Sequence, residues 1–158
     1  MTSYHPAEPN ASVTTRHRRP VQTVSALVGL VFLLVGVAGF VPGVTTDLDQ
    51  LHVAGHDSGA MLVGLFMVSV LHNVVHLAFG VVGLLASRTA RSARLFLLVG
   101  GVVYALLWVY GLVVDRDSTA NVVPLNSADN WLHLVLAVGM IALGLVLGRG
   151  VTADRARV

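Results

Sequence analysis

Four segments of this chain, residues 21–41, 59–86, 95–114 and 130–148, contain no Asp, Glu, Lys or Arg. No other feature narrows the fold so far. A helix of about 20 apolar residues covers the ~30 Å hydrocarbon core of a bilayer. The expectation is an all-α, integral membrane bundle of four transmembrane helices forming one domain over 21–148. A disordered basic cytoplasmic tail over 1–20 and a short cytoplasmic tail over 149–158 flank it. The basic run Arg16 to Arg19 before the first segment resembles a secretory signal, but that segment is too long for a signal core and reads as an uncleaved helix.

Composition agrees. Charged residues make up 11% of the chain against about 25% in soluble domains. There is no cysteine, which excludes disulfides and thiol chemistry. All ten basic residues are Arg, which excludes a lysine Schiff base. The Arg positions also give a topology. Arg16, Arg18, Arg19, Arg88, Arg91, Arg94, Arg149, Arg155 and Arg157 fall on one side of a four-span path, and Arg116 alone on the other. The positive-inside rule puts both termini in the cytoplasm of a cell-membrane protein. The high pI is therefore a topology signal, with no nucleic-acid partner implied.

The apolar segments carry ordered stripes. Ser25, Gly29, Gly36 and Gly39 share a face of the first helix, where small residues let neighbours approach closely. A second helix over 59–86, capped by Asp57 or Ser58, would line up Ser69, His72, Asn73, His76, Gly80 and Gly83. Residues 87–94 read as a linker. The third helix aligns Gly101, Tyr104, Trp108 and Gly111, and the fourth, capped by Ser127 or Asp129, aligns Asn130, His133, Ala137, Gly144 and Gly148. The motif Asn-x-x-His-Leu occurs twice, at 73–77 and 130–134, which suggests a parallel repeat of two helices. His72 and His133 stand equally far before Arg88 and Arg149, so they are expected to share one layer, with His76 and Tyr104 in the next.

Polar groups in hydrocarbon are costly and turn inward. The candidate polar cluster is Ser69, His72, Asn73, His76, Tyr104, Asn130 and His133. Its plainest role is to fix packing through interhelical hydrogen bonds. A second is a proton or small-solute path, opposed by the lack of a carboxylate within the four segments. A third is b-type haem held by His72 or His76 and His133. A hydrolase built on Ser69 and His72 lacks an acid and an oxyanion hole. In the outer loop, His52, His56 and Asp57 are the residue types of a weak divalent metal site.

The runs AGHDSGAMLVGLFMVSVLHNVVHLAFGVVGLL, VVYALLWVYGLVVD and VPLNSADNWLHL, with the outer TTDLDQL, resemble an actinobacterial family of four-helix membrane proteins. That family is catalogued only as a domain of unknown function, of the 4383 type. The resemblance implies four spans and carries over no activity, cofactor or catalytic residue. The expected function is non-enzymatic, structural or accessory, with the lipid bilayer as surroundings and a second copy or another membrane protein as partner. No cofactor is expected, haem b being the alternative.

Overall fold

The structure, a computed structural model, describes residues 18–149. The expected tails lie almost wholly outside the described residues. Among the described residues there are four α-helices: α1 Pro20–Ala38, α2 Val70–Ala86, α3 Ala90–Val113 and α4 Ser127–Leu147. Three of them, α1, α3 and α4, are long and apolar enough to cross a membrane, and α2, at 17 residues, is shorter. At 1.5 Å per residue α2 is about 26 Å long, slightly less than a bilayer core.

The second helix is the main departure from the sequence expectation. Residues 59–69 are not helical. Met61–Leu62 (β2) and Phe66–Met67 (β3) form a hairpin, and Thr45–Thr46 (β1) completes a three-stranded antiparallel sheet in the order β1-β2-β3. The turn is Val63-Gly64, with φ of 47° and 68°. Two successive left-handed residues match the right-handed twist of a hairpin. The segment is as apolar as a helix, but its backbone bonds elsewhere: Gly59 N–H to Gln50, Val68 N–H to Ala60 and Val70 N–H to His52. Pairing with the 42–53 loop overrides the apolar run. Helix α2 starts where Ser69, with extended backbone, accepts from His72 N–H at 3.1 Å. Ser69 is therefore a cap rather than part of the helical stripe, and Asp57 and Ser58 cap nothing.

The other boundaries shift less. Thr89 caps α3, so the α2–α3 connection is Ser87 to Thr89 and Arg91 and Arg94 belong to the first turns of α3. Asn126 caps α4 in a capping box with Asp129. Asp129 thus sits inside the first turn of α4, where the sequence reading began the helix one residue later.

Helix α1 packs chiefly on α2, and α3 on α4. The two pairs repeat one pattern. One offset carries Val21, Gly29 and Phe32 of α1, and Gly39 just past its end, onto Ala93, Gly101, Tyr104 and Gly111 of α3, and all eight are buried. A second offset carries Ser69, His72, Asn73, His76 and Gly80 onto Asn126, Asp129, Asn130, His133 and Ala137. Both N-caps correspond. So do the close crossings, Gly29 against Gly80 and Gly101 against Ala137. The core between the halves is built from Phe32, Phe96, Leu97, Tyr104 and Met140. The outer faces expose large apolar side chains such as Leu27, Leu34, Val75, Leu106 and Val135. Exposed apolar surface of this extent fits a membrane protein.

Candidate functional site

The repeat brings the polar residues together from equivalent places. Asn73 donates from Nδ2 to Gly39 C=O at 2.9 Å, and its counterpart Asn130 lies against Gly111. A Cβ at either glycine would collide with the facing amide, so each Asn-Gly contact fixes the height of one helix against the next. The Oδ1 atoms of both asparagines are buried without a hydrogen-bond partner among the described residues.

One turn further along, His76 and His133 flank a pair of aromatic rings. Phe32 stacks on Tyr104 at 5.6 Å and 15°. His76 lies 5.4 Å from Phe32, and His133 lies 5.3 Å from Tyr104. The counterpart of His133 is therefore His76, with which it shares the Phe32–Tyr104 layer. His72 lies one turn further out and stacks on His76 at 4.3 Å and 7°. Counting to the arginines had paired His133 with His72. That count failed because the two helices start at equivalent positions but α4, at 21 residues, runs one turn further than α2, at 17, before its arginine. Nδ1 of His76 is 2.9 Å from the carbonyl of His72. A carbonyl only accepts, so Nδ1 carries the proton and Nε2 of the neutral ring is the acceptor. His133, 4% exposed, has its Nδ1 buried without a hydrogen-bond partner among the described residues.

The counterpart of His72 is Asp129, a residue the sequence reading left out of the cluster. It is 2% exposed. Its Oδ2 accepts from Asn126 N–H at 3.0 Å and from Met67 N–H at 3.1 Å, while Asn126 donates from Nδ2 to Leu65 C=O at 2.7 Å. These bonds pin the hairpin to the start of α4. The four apolar segments hold no carboxylate, yet Asp129, one residue before the fourth, lines the same cavity as the histidines. The signal was in the sequence: extending the Asn-x-x-His match one residue toward the N-terminus aligns Asp129 with His72.

Two cavities meet at the histidines. The larger, about 320 Å³, lies between α1 and α4 under the hairpin and is lined by His72, His76, Asp129 and His133 together with apolar side chains. The smaller, about 110 Å³, lies between α2 and α3. His72, His76 and His133 line both. The cavities are counterparts in the repeat: Val35 and Leu132 of the first correspond to Leu107 and Val75 of the second. Toward the arginine end of the helices the space is filled by rings. Phe79 packs on Phe32 and Phe96 at 5.1 Å each and on Tyr104 at 5.9 Å.

Ser69 and Tyr104 are both buried in this region, but the Ser69 hydroxyl caps α2. In the loop between β1 and β2, His56 Nε2 is 3.1 Å from Asp57 Oδ1, and among the described residues no group of three His, Asp or Glu side chains is arranged to hold a metal ion.

A family model described as "Domain of unknown function (DUF4383)" matches residues 22–146. No curated protein and no solved structure matches the chain.

Proposed function

The chain belongs to the DUF4383 family of domains of unknown function, and from that premise we propose that it is a multi-pass integral membrane protein that holds another molecule without transforming it. Both termini lie in the cytoplasm on this reading, because Arg19, Arg88, Arg91, Arg94 and Arg149 gather at one end of the bundle and Arg116 lies at the other. The observation that carries the proposal is the larger cavity. It is an apolar recess of about 320 Å³ with a few converging polar groups, the composition of a small-molecule site. Beyond the histidines, toward the arginine end, Phe79 packs on Phe32, Phe96 and Tyr104, and this ring packing favours a receptacle open on one side over a conduit through the bilayer.

The test is to extract the full chain with its surrounding lipid in polymer nanodiscs and to identify small molecules retained after lipid exchange. A retained apolar molecule that is lost on His133→Leu is expected. Retention of nothing beyond exchangeable lipid contradicts the reading. A Soret band in the same preparation, abolished by His133→Leu, replaces it with a haem protein.

A further inference from the structure

Residues 58–71 hold no charged side chain, whereas the loop before them carries Asp47, Asp49 and Asp57. The hairpin within this stretch leaves Val63 64% and Leu65 51% exposed at its tip. Its height along the bundle bears on what that apolar tip meets.

The sheet packs inside the outer ends of the helices. Ala60, Leu62 and Val68 form one buried cluster against Val35 and Ala38 of α1. Thr45 of β1, itself buried, donates its hydroxyl to Ala38 C=O at 2.9 Å. Leu62 and Val63 share the larger cavity with Leu34 and Leu136. Leu34 lies about 6 Å inside the outer end of α1, and Leu136 about 10 Å further in than Asp129. Trp131, 66% exposed, leaves α4 at nearly the height of Asp129. Exposed Trp side chains of membrane proteins collect at the headgroup boundary. The hairpin also leads into α2, which at about 26 Å falls short of a full crossing. The chain just before α2 has the rest of the outer leaflet to cover.

Backbone polar groups in hydrocarbon must be bonded, and an open sheet edge does not occur there. The hairpin meets that condition. Val63 N–H donates to Val44 C=O at 2.8 Å, Gly64 N–H to Met61 C=O at 3.3 Å and Leu65 N–H to Leu62 C=O at 3.0 Å. No strand lies beyond β3 in the sheet. Side chains of α4 serve that edge instead: Asn126 Nδ2 donates to Leu65 C=O and Asp129 Oδ2 accepts from Met67 N–H. In water neither backbone group would need a protein partner, and a buried carboxylate would be a costly way to supply one.

Resting on the reading of the chain as a multi-pass membrane protein, we propose that the hairpin is a re-entrant element immersed in the outer leaflet. Val63 and Leu65 pack against lipid acyl chains there, and the hairpin completes the crossing that α2 leaves short. Asn126 and Asp129 stand in for the missing neighbour strand.

The chain has no cysteine, so single substitutions place one nitroxide each. The full chain is reconstituted in phosphatidylcholine nanodiscs with the label at Leu65→Cys, at Asp57→Cys in the preceding loop, or at Leu106→Cys on the exposed face of α3. Power-saturation EPR compares collisions with oxygen, which partitions into lipid, and with a water-soluble nickel chelate. Oxygen should dominate at Leu65 and Leu106 and nickel at Asp57. Nickel access at Leu65 equal to that at Asp57, with Leu106 still in lipid, overturns the re-entrant hairpin and leaves the membrane reading standing. A Leu65 label shielded from both reagents means that protein covers the tip, and overturns it too. Nickel access at Leu106 overturns both readings. The unsubstituted, methyl-labelled chain provides a check free of mutation. Leu65 methyls should show cross-relaxation with acyl-chain protons as Leu106 methyls do, and its absence at Leu65 alone contradicts the proposal.

Discussion

Gly29→Ala should destabilise the protein although alanine is the better helix former. A Cβ at Gly29 would lie 2.8 Å from both Gly80 C=O oxygen and Leu84 N, which are backbone atoms of α2 and cannot rotate away. Restoring an ordinary contact near 3.4 Å requires α1 to move off α2 by about 0.6 Å. A gap of that size forfeits roughly a quarter to a half of each pairwise attraction across the interface. It also stretches the 2.9 Å bond from Ser25 Oγ to Gly83 C=O, worth about 0.6 kcal/mol in a membrane protein. Overpacking of this kind costs about 1–3 kcal/mol, against about 1 kcal/mol gained in helix propensity. With the weakened hydrogen bond included, the net expectation is a loss of about 0.5–2.5 kcal/mol. Gly139→Ala is the matched control: nothing lies within 4 Å of its Cβ, so it should be neutral or stabilising by up to about 1 kcal/mol. Unfolding of both variants in mixed detergent–SDS micelles gives the comparison. A Gly29→Ala protein as stable as Gly139→Ala would refute the close α1–α2 crossing.

Asp129→Ala should cost about 1–3 kcal/mol, because it leaves Asn126 N–H and Met67 N–H without their acceptor. The same change should speed proteolysis within residues 61–67, read by timed digestion and mass spectrometry. Ser69→Ala removes the cap of the shortest of the four helices and should cost about 1 kcal/mol, measured by the same micelle unfolding. His133→Leu should stay within about 1 kcal/mol of the parent and remain assembled by size-exclusion chromatography, since one interhelical contact is worth little. A reporter fused after Val158 should be active in the cytoplasm, and a tag within residues 42–58 should be reachable from outside. The reverse pattern would overturn the orientation.

The four-helix count, the three long spans and the convergence of two Asn-x-x-His motifs were legible in the sequence, because charge exclusion and helical spacing act locally. The hairpin was not. Met61 to Met67 is an unbroken apolar run except for Gly64, and nothing local distinguishes a buried helix turn from a strand pair. What decides it is a set of long-range backbone bonds to residues 44–53. Asp129 was missed for a related reason. Charge marks a helix end, so the sequence reading stopped α4 just short of it. The capping box instead places that carboxyl inside the first turn and buries it. The ring layer of Phe32, His76, Tyr104 and His133 needed the repeat register, which counting to flanking arginines misjudged by a turn.

The central claim is that two equivalent helix pairs meet at one layer, with His76 and His133 on either side of stacked Phe32 and Tyr104. Solid-state NMR of the bilayer-embedded protein, ¹³C-labelled at His, Phe and Tyr, measures this directly. Cross-peaks are expected for Phe32–Tyr104, Phe32–His76 and Tyr104–His133, the last vanishing in both Tyr104→Leu and His133→Leu. His133 signals that correlate only with lipid acyl chains, with no aromatic cross-peak, would contradict the claim.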